Sequence, residues 1–303
     1  MVLPPVSVVV PTRERPAELV RSLRAIVDQS YAGEIECIVV FDQSPPEAPE
    51  IPERPGRLIR CMPNTRTPGV AGARNTGILA AEGQLLAFCD DDDEWLPGKL
   101  TKQVDVFERD PHVGVVGTGT LISTPRRVIR RVSPRPWITH AELVRARRPD
   151  LHPSTLLIRR SFLFGEAGLL DEDLPESYGE DYDFLLRASG RCAIATIQEP
   201  LVRAHWDRPS WFAGRWRATI DAHRYLLQKH SALSGSPVGA ARIYGQIAFG
   251  YAALGSAEAS AWARRSIKSN WRQPRGYLAL AVRYHLLDAR FVLRTLNAFG
   301  RNV

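Results

Sequence analysis

The chain is poor in sulfur, has no long apolar run, and carries few acids at one end. Its 303 residues include four cysteines and two methionines. Cys37, Cys61, Cys89 and Cys192 are far apart and make no CxxC, which excludes a disulfide framework and a zinc site. Three of them border apolar runs, where a thiol packs as a small hydrophobe. No run approaches the roughly 18 apolar residues of a membrane-spanning helix. The opening MVLPPVSVVVPT lacks a basic leader and does not read as a signal peptide, so a reducing cytoplasm is the expected compartment. There is no internal repeat. Acidic residues are scarce only in the last third. Residues 201–303 hold 16 Lys and Arg against 4 Asp and Glu, a net +12, while residues 1–200 hold 24 against 29, a net −5. With 44% apolar and 24% charged residues the composition is that of a globular protein, and it excludes disordered, collagen-like and multi-span membrane chains.

What is present is an alternation of strands and helices. Residues 6–10 read as a buried strand, and residues 16–29 as a helix with Leu19, Leu23, Ile26 and Val27 on one face. Residues 35–41 form the next strand, so the first 40 residues make a βαβ unit with parallel strands. A strand is expected over 58–62, a helix from the glycine-rich 69–77 to Ala81, and a strand over 84–89. Then come a helix over 97–109 and a strand over 113–117. A basic, proline-interrupted loop over 124–149 leads to a short strand over 155–158. A helix over 182–189 has Glu180 and Asp181 at its mouth, and a last strand over 194–197 closes the sheet. Beyond Asp207 the pattern turns helical. The expected architecture is a three-layer α/β domain over 1–207 and a basic helical region over 208–303.

Ligands of open α/β sheets bind beyond the carboxyl ends of the strands. Three polar features fall there: Pro11-Thr12-Arg13-Glu14, Asp42, and the run from Asp90 to Glu94. Five consecutive carboxylates repel one another. In a solvated turn that costs little, but at a buried strand end it calls for a counter-ion. Mg²⁺ and Mn²⁺ take oxygen ligands, often one or two carboxylates plus substrate phosphates. Asp90 and Asp92 point the same way if the strand continues, one towards a ribose and the other towards the metal. The glycines from Gly69 to Gly77 allow two readings. Either the helix start receives an anion, with Arg74 on a phosphate, or the helix simply packs tightly on the sheet.

VSVVVPTRERP, VVFDQS, GVAGARNTGILAAEGQLLAFCDDDDEWLPGKL and GEDYDFLLR occur in the order seen in family 2 glycosyltransferases. The chain resembles that family over about residues 4–207. The resemblance implies a GT-A fold, a Rossmann-like three-layer sandwich. It also implies inverting transfer of a sugar from a nucleotide-diphosphate donor, most often a UDP-sugar, with Mn²⁺ or Mg²⁺ as cofactor. By this likeness Pro11, Thr12, Arg13 and Glu14 form the first nucleotide-binding loop, and Asp42 reads the base. Phe41 and Gln43 stand where the family more often has Asp and Gly. Gly69, Arg74 and Asn75 belong to the donor site, Asp90 and Asp91 reach the ribose, and Asp90, Asp92 and His205 hold the metal. Asp181 matches the catalytic base, with Glu180 beside it. His152, Ser154 and Trp206 fall on the acceptor side, His152 either as an acceptor contact or as a packed loop histidine.

Two basic segments remain. Residues 126–148 hold eight arginines and one glutamate, either a solvated loop or a clamp for an anionic or lipid-linked acceptor. The last third interleaves Trp206, Trp211, Trp216, Trp262 and Trp271 with arginines, and has apolar stretches at 243–254 and 277–287. Such a pattern suits a membrane surface, and equally a helical subdomain with its arginines in water. No nucleic-acid-binding module is visible. Two other functions compete. A sugar nucleotidyltransferase would carry a glycine-rich loop after the first strand, which PTRERP lacks. A non-catalytic scaffold on the same fold is the other, because fold alone does not prove activity.

Overall fold

The structure is a computed structural model and describes residues 3–206, 212 and 214–298. It divides into two compact units. One comprises Met1–His140, Arg148–Glu172 and Glu180–Arg208, and the other Ala141–Arg147, Asp173–Gly179 and Pro209–Val303.

The first unit holds the strands β1 (Val6–Thr12), β2 (Ile35–Phe41), β3 (Arg57–Pro63), β4 (Leu85–Phe88), β5 (Asp93–Trp95), β6 (Val115–Ser123), β7 (Val128–Arg131), β8 (Trp137–Ile138), β9 (Leu157–Arg159) and β10 (Ile194–His205). Helices along this part of the chain are α1 (Pro16–Val27), α2 (Val70–Ala80), α3 (Lys99–Arg109), α4 (His140–Arg145), which beyond His140 belongs to the second unit, α5 (Arg160–Phe162) and α6 (Glu180–Ser189). The sheet order is β3-β2-β1-β4-β9-β6-β10-β5, with β7 on β6 and β8 on β10. β1 is buried along its whole length, as an interior parallel strand should be, and it pairs in parallel with β2 and β4. Their carboxyl ends therefore come together, bringing Thr12, Asp42 and Asp90 to one rim.

The sheet is not all parallel. β9 runs antiparallel to β4 and β6, and β5 antiparallel to β10. The 124–149 segment is not a plain loop: it contains β7, β8 and α4. Val128–Arg131 exposes Val128 and Arg130 and half-buries Ile129 and Arg131, so it has no apolar alternation, and pairing with β6 decides its form. β10 does not stop at Ile197. Register shifts around Pro200 carry the strand past the missing N–H and on to His205.

α2 lies close on β1. A Cβ at Gly77 would sit 2.3 Å from Val9 Cγ1, so that glycine serves helix-on-sheet packing. The core joins β1, β2 and β4 to α1 and α3 through Val8, Val10, Leu23, Ile26, Val39 and Leu100, among others.

The second unit is helical: α7 (Trp216–Lys229), α8 (Ser231–Gly235), α9 (Pro237–Ala253), α10 (Glu258–Ser269), α11 (Pro274–Arg283) and α12 (Ala289–Ala298). α9 is rich in Gly and Ala and buried along much of its length. It is the post around which Ala259, Ala263, Ala279, Val282 and Val292 pack. Trp216 and Trp262 pack against this core, with Trp216 edge-on to Phe249 at 5.7 Å. Most of the apolar 243–254 stretch is thus spent inside the unit, and the two tryptophans lie half-buried against it. Trp211 lies outside the described residues.

His223 of α7 is buried, bonded through Nδ1 to the Thr219 carbonyl at 2.6 Å and stacked near Tyr178. Burial, reinforced by Arg242, Arg147 and Arg275, pushes its pKa down from 6.5 to about 3. Between those values the unfolded chain binds a proton that the folded chain refuses, so stability falls as pH drops through that window. The denaturant midpoint of the wild type should fall more steeply from pH 7 to pH 4 than that of His223→Gln. Parallel curves would refute the assignment.

Candidate functional site

The Asp90–Glu94 run leaves β4 and enters β5, so the chain turns sharply at the sheet rim and each carboxylate meets a different environment. Asp90 accepts from Arg74 Nη2 at 2.5 Å. Arg74, buried at 3% exposure, gives its other arm to Glu180 at the start of α6. Burial opposes the charge on Arg74, but Asp90 and Glu180 outweigh it and hold the guanidinium charged. For Asp90, burial favours the protonated form, and Arg74 with His152 overcomes it, lowering the pKa.

Asp91 accepts from the Thr12 hydroxyl at 2.7 Å and from Arg15 at 3.1 Å. Asp92 meets Arg15 at 2.8 Å. Burial first, then Asp90, Asp93 and Asp91, raise the Asp92 pKa to about 7, with Arg15 opposing. The repulsion of the run is thus concentrated on Asp92, which is 38% exposed.

Asp93 points inward. Its Oδ2 takes the Ser154 hydroxyl at 2.5 Å and lies 3.1 Å from His152 Nδ1, while His152 Nε2 is 3.7 Å from Asp90. Asp90, Asp93 and His152 offer three ligand atoms within 4.8 Å of one another. Burial works against the His152 cation, but Asp93 and then Asp90 and Asp181 raise its pKa to about 9. Asp181, the second residue of α6, is thereby within electrostatic reach of Arg74, Asp90 and His152.

The remaining expected residues fall into three groups. Pro11 and Thr12 are buried at the end of β1, whereas Arg13 and Glu14 are exposed beyond it, Glu14 at φ 54°. Asp42 sits at the same rim but is engaged: it accepts from Gly69 N at 3.1 Å and Asn64 Nδ2 at 2.8 Å, clasping β2 to the start of α2. Asn75 is almost wholly buried and bonds Leu170 and Glu172, bracing the chain ahead of α6. Ser154 is fully buried and also accepts from Asp90 N at 3.0 Å, so both sides of its hydroxyl are used within the fold. His205, at the end of β10, is 2.7 Å from Glu94, which also pairs with Arg21. His205 and Asp92 are outside the three-ligand group. Trp206 is half-buried with the Arg131 guanidinium 5.8 Å over its ring.

Sequence reasoning missed Arg15, Asp93 as a distinct inward ligand, and Glu172. Arg15 had a signal, because it lies three residues beyond Thr12 and just ahead of α1. Glu172, which joins Arg66 to Asn75 from a distant part of the chain, had none.

The Glycosyl transferase family 2 model matches residues 7–164. The Escherichia coli protein WfgD, a UDP-Glc:alpha-D-GlcNAc-diphosphoundecaprenol beta-1,3-glucosyltransferase, is 27% identical over 140 residues, covering 46% of this chain and 55% of the relative. The succinoglycan biosynthesis protein ExoO of Rhizobium meliloti is 29% identical over 212 residues, covering 63% and 58%. The chain thus matches little more than half the length of these relatives. Among solved structures, S. aureus TarS 1-349 in complex with UDP-GlcNAc aligns with a TM-score of 0.61 at 15% identity, covering 98% of this chain and 92% of that one. The mannosyltransferase PcManGT from Pyrobaculum calidifontis, in complex with GDP-Man and Mn²⁺, aligns at 0.55 and 18% identity, covering 99% and 88%. With the family model spanning more than half of its length and GT-A glycosyltransferases as its structural neighbours, the chain belongs to glycosyl transferase family 2.

Proposed function

We propose that the chain transfers a sugar from a nucleoside-diphosphate donor to a hydroxyl of a lipid-linked glycan, with inversion, assisted by a divalent cation. The observation that carries this reading is the meeting of the acidic turn with the head of α6, which brings Asp181 within electrostatic reach of Asp90. WfgD is named for transfer from UDP-Glc to alpha-D-GlcNAc-diphosphoundecaprenol, and PcManGT was solved with GDP-Man and Mn²⁺; both support the substrate classes.

Asp90 and Asp92 would hold the cation. The donor set fits: oxygen ligands only, with one carboxylate raised to about 7 by burial and then by its acidic neighbours, a crowding of charge that a dication would relieve. His152, raised to about 9 by Asp93 and Asp90 against its burial, would have to give up its proton before joining as a ligand. His205 would join only by exchanging its bond to Glu94. When bound, the cation supplies positive charge to the departing diphosphate. Asp181 accepts the proton of the acceptor hydroxyl as the new bond forms. Glu180 keeps Arg74 and the head of α6 in place. Trp206, with Arg131 over its ring, offers an acceptor-side face.

A thermal-shift screen of nucleotide sugars with and without Mn²⁺ tests this. The right donor should stabilise the chain in a Mn²⁺-dependent way, by about 2.7 kcal/mol at one hundred times Kd. Asp92→Ala should abolish the Mn²⁺ dependence. Loss of that dependence in His152→Ala, with Asp92→Ala unaffected, would move the cation to the Asp90–Asp93–His152 set. No shift with any nucleotide sugar would refute the donor class.

A further inference from the structure

We infer that the outer face of α11 and the corner leading into α12 form a docking surface for an anionic lipid bilayer. Neighbouring helices of the same unit set the contrast. α10 turns Arg264, Arg265 and Lys268 outward, an ordinary solvated face. α11 instead exposes Tyr277 and Tyr284, seven residues apart and so on one face, with Pro274 and the half-exposed Ala281 between and beside them. No charge lies in that stripe. It continues past the helix end in Leu286 at 76% exposure, Leu287, and Phe291 at 60%. Trp271, 67% exposed, is tied to it by the Tyr277 hydroxyl, which donates to the Trp271 carbonyl at 2.9 Å. Six of the thirteen exposed large apolar side chains among the described residues fall between 271 and 291.

The corner is built rather than slack. His285 takes φ 60° after the helix end. Its N–H bonds the Val282 carbonyl at 3.1 Å, and Leu286 N bonds Ala281 at 2.8 Å. These are the two bonds of a Schellman stop, in which the residue at the Leu286 position ordinarily folds its apolar side chain back onto the helix. Here Leu286 points into solvent. Beyond it, the Asp288 carboxylate accepts from Phe291 N at 2.8 Å. Val292 anchors α12 in the core while its neighbour Phe291 is left outside.

The surrounding charge selects the occupant. Between 271 and 294 there are five arginines and a single acid, Asp288. Arg272 lies over the Trp271 ring at 5.1 Å. Tyr and Trp rings interleaved with arginines suit a headgroup boundary, where the rings sit at the interface and the guanidiniums meet anionic lipid. A second copy would bring two such positive rims together, which repel. This inference rests on the proposed lipid-linked acceptor for its purpose. It is read without any donor, so either can fail alone.

The test is flotation of the full chain with vesicles of phosphatidylcholine alone, and with about one-third phosphatidylglycerol. The wild type should partition to the anionic vesicles at least about tenfold better, with salt weakening the preference. Combined Tyr284→Ser, Leu286→Ser and Phe291→Ser should lower that partition by about tenfold or more, with circular dichroism and Tm reporting a retained fold. Should the triple variant unfold, Leu286→Ser and Phe291→Ser are measured singly, since these two side chains are mostly in solvent. Arg290→Gln with Arg294→Gln should reduce only the preference for phosphatidylglycerol. The inference is overturned if the wild type ignores anionic vesicles, if folded corner variants float like the wild type, or if the variants dissolve a dimer with no change in lipid binding.

Discussion

Asp181→Asn should lower turnover by about 10²–10⁴-fold while leaving nucleotide-sugar affinity nearly unchanged. The amide keeps the shape of the carboxylate but cannot take a proton. Asp181 is half-buried at the head of α6 and electrically coupled to Arg74, Asp90 and His152, so removing its charge touches the chemistry more than the fold. The measurement is single-turnover transfer with a saturating donor, beside a separate binding isotherm. An undiminished rate would remove Asp181 from the reaction. A matching loss in donor affinity would make it a binding residue instead.

The second large effect concerns stability. Arg74→Met should cost about 3–5 kcal/mol, because it leaves Asp90 and Glu180 at a buried rim without their shared cation. Burial of the arginine is nearly complete, so solvent gives little screening. The sign with pH follows from Asp90, whose pKa is lowered in the folded state. Its contribution is full above the unfolded value of 3.8 and is lost as pH falls through the folded one. Urea unfolding of wild type and variant should therefore differ most at neutral pH and converge in acid. Equal midpoints at pH 7 would mean the bridge contributes nothing. Paired with Asp181→Asn, this variant tests the two carboxylates at the head of α6 separately: Glu180 in its bridge to Arg74, and Asp181 in its proposed role as base.

The rim that carries the candidate site was legible in the chain itself. The apolar runs of β1, β2 and β4 and the amphipathic α1 announce a parallel βαβ layer, and parallel strands force Thr12, Asp42 and Asp90 to one rim. What spacing could not provide was which polar groups the fold uses up. Arg74 and Ser154 looked like ligand contacts by position. Both are buried and engaged within the fold, Arg74 on Asp90 and Glu180 and Ser154 on Asp93 and the Asp90 N–H. Glu172 was invisible, since its partner Asn75 is 97 residues away. The arginine-rich segment after residue 124 also read as loop, because an edge strand with an exposed face takes its form from its neighbour rather than from its own pattern.

The basic tail follows the same division. Its charge and its stock of aromatics are properties of the sequence. Which aromatics remain outside is not. Trp216 and Trp262 pack half-buried against the helical core, while Tyr277, Tyr284, Leu286 and Phe291 stay in solvent. The order of motifs, the periodicity and the charge asymmetry were determined locally, by residue type and spacing. The partner of each charge and the exposure of each ring were decided only when distant segments packed, since burial and pairing depend on neighbours that the linear chain does not hold together.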